Sequence, residues 1–328
     1  MYSFGIDLGG TNIAIGVVDT ETGEILKKGS VPTKASRHAD EIMKDMAGLC
    51  KSLAEEMGLT IADFAYAGIA APGTIDNETG TVIYSNNIKM DMYPIADKLM
   101  EYSGIKKVYC ENDANAAAYG EAAYGASKGT KHSVMITLGT GLGSGIVCNG
   151  EMVYGSDGFA GEYGHIAVES RQTGRQCGCG RRGCLEAYVS ATGIKRTAFE
   201  LMATMTCDSE LRSVPYDKFE AKMLSDAAKK NDPIALEAFE RTGRVLGEAL
   251  ADLTAITSPE AIILFGGLAN AGDFIMKPTY RYMEENQLAV FKGKVKLVMS
   301  GIQDKNVAIL GGAALIWKQY LESVIENY

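Results

Sequence analysis

Ile6-Asp-Leu-Gly-Gly-Thr-Asn-Ile-Ala-Ile-Gly-Val17 aligns without a gap on Ile136-Thr-Leu-Gly-Thr-Gly-Leu-Gly-Ser-Gly-Ile-Val147. Each reads as strand, glycine-rich turn, strand. Two such hairpins imply two similar halves, each offering a turn to a shared cleft as a phosphate cradle. Glycine-rich turns between strands also recur in unrelated folds, so the echo alone leaves duplication and coincidence both open.

The chemistry of the two turns separates these readings further. In Asp7-Leu-Gly9-Gly10-Thr11 the glycines let backbone N–H groups approach an anion, and Thr11 adds a hydroxyl donor. The stretch lacks the lysine of a Walker A loop and joins strand to strand, so it is neither that loop nor a dinucleotide fingerprint. An ordinary glycine hairpin would explain it, except that Asp7 closes a buried strand, where a carboxylate needs a partner such as hydrated Mg²⁺. The second turn, Leu138 to Gly145, has glycine at 139, 141, 143 and 145. A structural turn needs one or two, so this backbone reads as wrapping a ligand, with Thr140 as a further donor. Between a strand and a helix stands Glu111-Asn112-Asp113-Ala-Asn115. Asn112 or Asp113 serves there as a helix cap, or Asp113 is a general base at a strand end with Asn112 beside it on the substrate.

A third constellation is metal-like. His165, Cys177, Cys179 and Cys184 lie within twenty residues, with Glu162 before them and Glu186 after. Three thiolates and an imidazole complete a closed tetrahedral zinc site with no position for a catalytic water. The metal is therefore read as building a loop. One ring nitrogen of His165 faces zinc, which leaves the other as an N–H donor. The loop presents Glu162 and Glu186, acceptors suited to a ligand rich in hydroxyls.

Composition sets the outer limits. The chain has 328 residues, 46% of them hydrophobic, with 38 glycines, 7 prolines and a net charge of −9. That length suits two domains. The acidic balance argues against nucleic acid or an anionic membrane as partner. No apolar run reaches the length of a membrane span, and the start lacks the pattern of a signal peptide. Seven cysteines, three crowded into one loop, fit a reducing cytoplasm with bound metal. Cys50, Cys110, Cys148 and Cys207 are expected in the core. His38 and His132 are expected on the surface or in loops.

The coarse reading places strands at 2–8, 12–19 and 24–32, a helix at 38–58 and a buried strand at 61–70 ending at the Pro72-Gly73 turn. A helix at 93–102, a strand at 106–111 and an alanine-rich helix from about Asn112 follow. Then come a strand pair at 132–148, mostly helices from 184 to 256, and a short strand, Ile262–Phe265, before Gly266-Gly267.

Together these motifs resemble the ROK family of sugar kinases and repressors, within the actin-like ATPase superfamily, over nearly the whole chain. Asp7-x-Gly-Gly-Thr11 and Leu138–Gly145 look like its two phosphate motifs, and Cys177-x-Cys179-Gly-x-x-Gly-Cys184-x-Glu186 its signature. Glu162-x-Gly-His165 looks like its paired sugar element, Asn112-Asp113-Ala-Asn115 its catalytic segment and Gly266-Gly267 its adenosine motif. Position 268 is leucine where the family has a third glycine. The resemblance implies an α/β fold of two actin-like (ribonuclease H-like) domains flanking a deep cleft. Residues 1–123 plus 306–328 would form the smaller domain, the last helix returning to it, and 124–305 the larger one with the zinc loop. It implies an ATP- and Mg²⁺-dependent kinase acting on the 6-hydroxyl of glucose. Asp113 would be the base. Asn112, Glu162, His165, Glu186, Gly73 and Asn87 would hold the sugar. Asp7, Gly9, Gly10, Thr11, Gly139, Thr140, Gly141, Gly266 and Gly267 would hold the nucleotide and its cation. His165, Cys177, Cys179 and Cys184 would hold structural Zn²⁺, and a homodimer is implied. The alternatives are a kinase for N-acetylmannosamine, N-acetylglucosamine, allose or fructose, or a sugar sensor without catalysis. The repressor branch is set aside, because the first strand starts at residue 2 and the chain is acidic.

Overall fold

The computed structural model describes residues 1–85, 87–302 and 307–315. The chain divides into two compact units. One comprises Met1–Gly129, Met152–Ala160 and the segment from Gly301 onward; the other comprises Thr130–Glu151 and Gly161–Ser300. The linear partition at 123/124 contains nothing like the excursion Met152–Ala160.

The first unit begins with β1 (Tyr2–Leu8), β2 (Asn12–Asp19) and β3 (Ile25–Pro32), an antiparallel meander. Next comes α1 (Ala39–Glu56), whose apolar spacing buries Ile42, Met46 and Leu53. The strand expected from residue 61 starts later. Ile61–Asp63 is a 3₁₀ turn closed by a Thr60/Asp63 capping box, and β4 runs Phe64–Ala71. Three short strands form a separate small sheet, β5 (Thr74–Asp76), β6 (Thr81–Ser85) and β7 (Met90–Tyr93). Then follow α2 (Ile95–Ser103), β8 (Val108–Asn112) and α3 (Asp113–Tyr124). The main sheet has the order β3-β2-β1-β4-β8, with β1, β4 and β8 parallel.

The second unit repeats that plan. β9 (Ser133–Leu138) and β10 (Leu142–Cys148) form a hairpin, continued by β11 (Glu151–Met152). Asn149 and Gly150 both have positive φ, the two-residue turn that an Asn-Gly pair favours. Three helices follow, α4 (Ala191–Thr204), α5 (Ala221–Ala228) and α6 (Pro233–Thr257). Asp232 caps α6 with Pro233 in its first turn, and the helix buries Ala235, Phe239, Leu246, Leu250 and Leu253. The unit ends with β12 (Ala261–Phe265), α7 (Asp273–Asn286) and β13 (Lys296–Met299). Its sheet order is β11-β10-β9-β12-β13, with β9, β12 and β13 parallel. β1 stops at Leu8 and β2 starts at Asn12; β9 stops at Leu138 and β10 starts at Leu142. The two hairpins thus coincide residue for residue in the ungapped alignment. Each unit has its own hydrophobic core.

Two cysteine expectations need correction. Cys50 and Cys110 are buried, but Cys148 is exposed and Cys207 only partly covered. Strand alternation buries Val147 and turns Cys148, the last residue of β10, to the outside.

The chain returns to the first unit with α8 (Val307–Ala314). The remainder of the expected terminal helix, residue 306 and 316–328, lies outside the described residues. α8 meets the sheet through bare backbone: a Cβ on Gly68 would strike the Gly312 carbonyl, and one on Gly312 the Gly68 carbonyl. Gly48, exposed within α1, has nothing within 4 Å of its Cβ position. Gly312→Ala is expected to lower stability by about 3 kcal/mol or more, since the clashing atoms are main chain. Gly48→Ala should raise it by about 0.5–1 kcal/mol through helix propensity. Thermal midpoints of the two variants, shifted in opposite directions, are the check.

Candidate active site

In the first unit the turn after β1 is held from behind. The Thr33 hydroxyl donates to the Gly9 carbonyl at 2.6 Å, and the Thr33 N–H donates to the Thr11 carbonyl at 2.8 Å. In a trans peptide the C=O and the next N–H point in opposite directions. Pinning the Gly9 carbonyl to Thr33 therefore turns the Gly10 N–H the other way, which is how a backbone cradle for an anion is made. Asn87 lies within van der Waals reach of Gly10. Ile6 and Leu8 point into the core, so the alternation of β1 sends Asp7 to the other face. Burial, and then the negative charge of Asp113, push Asp7 up to about 6, with Lys28 opposing. A cation there would relieve both effects, which fits the expected Mg²⁺.

At the end of β8 the capping reading holds for Asn112. Its side-chain oxygen accepts from the N–H groups of Ala114 (2.9 Å) and Asn115 (3.4 Å), and its amide donates to the Gly73 carbonyl at 3.0 Å. Asp113 opens α3 and is exposed. The unit thus gathers Asp7, the 9–11 turn, Asn87, Gly73, Asn112 and Asp113 around the ends of β1, β4 and β8.

In the second unit the corresponding turn is pinned by the start of α4. The Ala191 N–H donates to the Gly139 carbonyl at 2.8 Å and the Thr192 hydroxyl to the Thr140 carbonyl at 3.0 Å. Glu186 closes the other side: one carboxylate oxygen accepts the Leu142 N–H at 3.0 Å, and a side chain at Gly141 would collide with that same oxygen. Gly266 and Gly267 follow β12, which is paired with β9. Leu268 takes right-handed helical angles, donates its N–H to the Leu138 carbonyl at 3.1 Å and buries its side chain. Position 268 therefore needs no glycine in this chain.

The four candidate metal donors converge. One nitrogen of His165 and the three Sγ atoms all lie within 4.8 Å of one another. Cys179 and Cys184 sulfurs are 3.7 Å apart, and Cys177 Sγ is 3.8 Å from His165 Nδ1. A tetrahedral zinc with bonds of about 2.3 Å to sulfur requires S···S edges of about 3.8 Å, so the donor set fits that ion. Nδ1 faces the sulfurs, while Nε2 lies 3.8 Å from the Glu162 carboxylate, as expected for a ligand whose second nitrogen points away from the metal. Burial pushes Cys179 up, but hydrogen bonds from Arg181 and the neighbouring thiols outweigh it and bring it down to about 6. Arg171 donates to Cys184 Sγ at 3.3 Å. Gly183 has φ +73, and a side chain there would run into the Glu169 carbonyl. Arg175 anchors the loop, reaching Glu200, Thr197 and the carbonyls of Ala187 and Gly193.

Sequence reasoning missed Thr33, Thr192 and Arg175. Each acts from outside the glycine-rich motifs, and only tertiary structure brings it to the turn or loop it holds.

Residues 3–320 match the ROK family, and the chain belongs to it. It is 37% identical over 318 residues to the glucokinase of Thermotoga maritima, covering 95% of this chain and 96% of that one. It is 36% identical over 326 residues to the glucokinase of Halalkalibacterium halodurans, covering 96% and 94%. A crystal structure of a ROK family glucokinase from Streptomyces griseus in complex with glucose and AMPPNP superimposes with a TM-score of 0.79. The sequence identity there is 34%, over 96% of this chain and 99% of that one. The fold is the actin-like one of ROK sugar kinases.

Folding raises the Asp7 pKa from its ordinary 3.8 to about 6. Its contribution to stability is thus fully present below the unfolded value and is lost as pH rises through about 6. In metal-free protein, Asp7→Asn is expected to stabilise by up to about 3 kcal/mol at about pH 8 and to change little at about pH 3.5. Thermal melts in chelator across that range test this; a gain independent of pH would contradict it. Cys179→Ser should lose bound zinc, read by metal analysis of the purified protein, and weaken sugar binding with it.

Proposed function

We propose that this chain is an ATP-dependent glucokinase, which transfers the γ-phosphoryl group of ATP to the 6-hydroxyl of glucose. The observation that carries the reading is end-to-end similarity to glucokinases at 36–37% identity. Both pinned turns and the thiol cluster support it.

Phosphoryl transfer needs alignment and charge neutralisation more than covalent chemistry. The N–H groups of the 9–11 and 139–141 turns, with Thr11 and Thr140, would receive phosphate oxygens. Gly266 and Gly267 would lie along the nucleoside. Asp7 would hold the Mg²⁺, which when bound supplies positive charge to the phosphates. Asp113 would take the proton of the attacking hydroxyl. Asn112, Glu162, His165 and Glu186, with Gly73 and Asn87, are the residues proposed to bind the other hydroxyls.

Zinc is assigned a structural role, because four protein donors fill a tetrahedron. Cys177 lies 3.4 Å from the second oxygen of Glu186. As a metal-bound thiolate it has no proton to donate, which leaves that oxygen as an acceptor for a sugar hydroxyl. A homodimer is part of the same proposal.

The test is a sugar panel coupled to ADP release, with glucose, fructose, allose, N-acetylglucosamine and N-acetylmannosamine. Glucose is expected to lead in kcat/KM by roughly tenfold or more. Asp113→Asn should lose about 10²–10⁴ in kcat with sugar affinity little changed. A higher kcat/KM for another sugar would reassign the substrate, and ADP release with none would return the chain to a sensing role.

A further inference from the structure

Glu111 sits directly before the Asn112-Asp113 pair and has no part in the mechanism above. Its side chain is 4% exposed. One carboxylate oxygen accepts the Asn112 N–H at 2.8 Å and the Asn115 side-chain amide at 3.2 Å. The other accepts the Tyr154 hydroxyl at 2.7 Å and the Asn77 side-chain amide at 3.4 Å. All four contacts are donors, so the group is bound as a pure acceptor.

These donors come from four pieces of chain. Asn112 ends β8, Asn115 lies in the first turn of α3, and Asn77 follows β5. Tyr154 belongs to the Met152–Ala160 excursion, which is closed on itself by the Ala160 N–H to Tyr154 carbonyl bond at 2.9 Å. Burial, and then the neighbouring Glu111, hold the Tyr154 proton far above the usual tyrosine range. The phenol therefore remains a donor to Glu111, and its oxygen also lies 3.4 Å from the Tyr119 hydroxyl.

We infer that Glu111 is a positioning residue for Asp113: its carboxylate bolts the β8–α3 junction to the excursion through Tyr154 and so sets the direction in which Asp113 leaves the first turn of α3. The inference rests on the reading of Asp113 as the base. The geometry makes the role specific to a carboxylate. A glutamine would fit the space, but its NH₂ must replace one of the two oxygens. On one side it would face the Asn112 backbone N–H, which cannot turn round, and on the other the Asn77 amide. The first orientation sets donor against a fixed donor; the second is open only if the Tyr154 hydroxyl and the Asn77 amide both turn round to accept, which reverses the tie to the excursion.

The experiment is steady-state kinetics of the zinc-loaded, full-length enzyme with glucose and ATP. It uses Glu111→Gln, Tyr154→Phe, Asp113→Asn and the Glu111→Gln/Asp113→Asn double variant. Glu111→Gln is expected to lower kcat roughly tenfold or more, with both KM values within about twofold of the parent. Tyr154→Phe keeps the carboxylate and cuts only the tie to the excursion. It is expected to lower kcat about threefold or more with the same KM pattern, and it decides the matter should the glutamine variant fail to fold. Because Glu111 acts through Asp113, the double variant should be no slower than Asp113→Asn alone. Unchanged kcat in Glu111→Gln and Tyr154→Phe overturns the inference. A double variant slower than Asp113→Asn by the full Glu111→Gln factor does so too. Full turnover in Asp113→Asn would instead remove Asp113 as base, which separates failure of that reading from failure of this one.

Discussion

Two turns whose carbonyl oxygens are anchored from behind are the constraint on which the candidate site depends. A peptide plane cannot point its oxygen and its hydrogen the same way. Thr33 behind the 9–11 turn, and Ala191 with Thr192 behind the 139–141 turn, therefore decide where the intervening N–H groups face. Glycine makes such a turn possible but leaves it adaptable, and the anchors remove that freedom. An oriented set of amides formed before the ligand arrives costs no reorganisation when phosphate charge must be met.

The thiol cluster extends this constraint. Glu186 touches the 139–141 turn through the Leu142 N–H with one oxygen and the Cys177 sulfur with the other. One side chain thus links the loop proposed to grip the sugar with the turn proposed to receive phosphate. Arg175 fastens the loop to α4, the helix whose first residues anchor that same turn. Loop, helix and turn form a closed circuit within the second unit.

Much of this was legible in the sequence. The 6–17 and 136–147 echo anticipated two hairpins that end and begin at matching residues, and the His-Cys-Cys-Cys spacing anticipated four convergent donors. The short sheet of β5, β6 and β7 was not legible, because strands of three to five residues carry too little alternation to show a period. Cys148 was misread because an apolar neighbourhood in sequence says nothing of which face a strand's last residue takes. Leu268 departs from the family's glycine pattern, yet the backbone there keeps ordinary helical angles and the side chain fills the core. Glu111 was visible beside Asp113. Its role was not, because Tyr154 is distant in the chain and no local pattern announces the pairing.

The contact of α8 with the sheet has a mechanical meaning. Where Gly312 meets Gly68 and Ile309 meets Gly5, backbone rests on backbone, with no cushion of rotatable side chains between them. A displacement of the helix cannot be absorbed by rotamer changes and must pass undiminished into β1 and β4. β1 carries Asp7 one residue before its end and β4 runs into the Gly73 turn, so the first unit is stiff up to the residues proposed to do the chemistry.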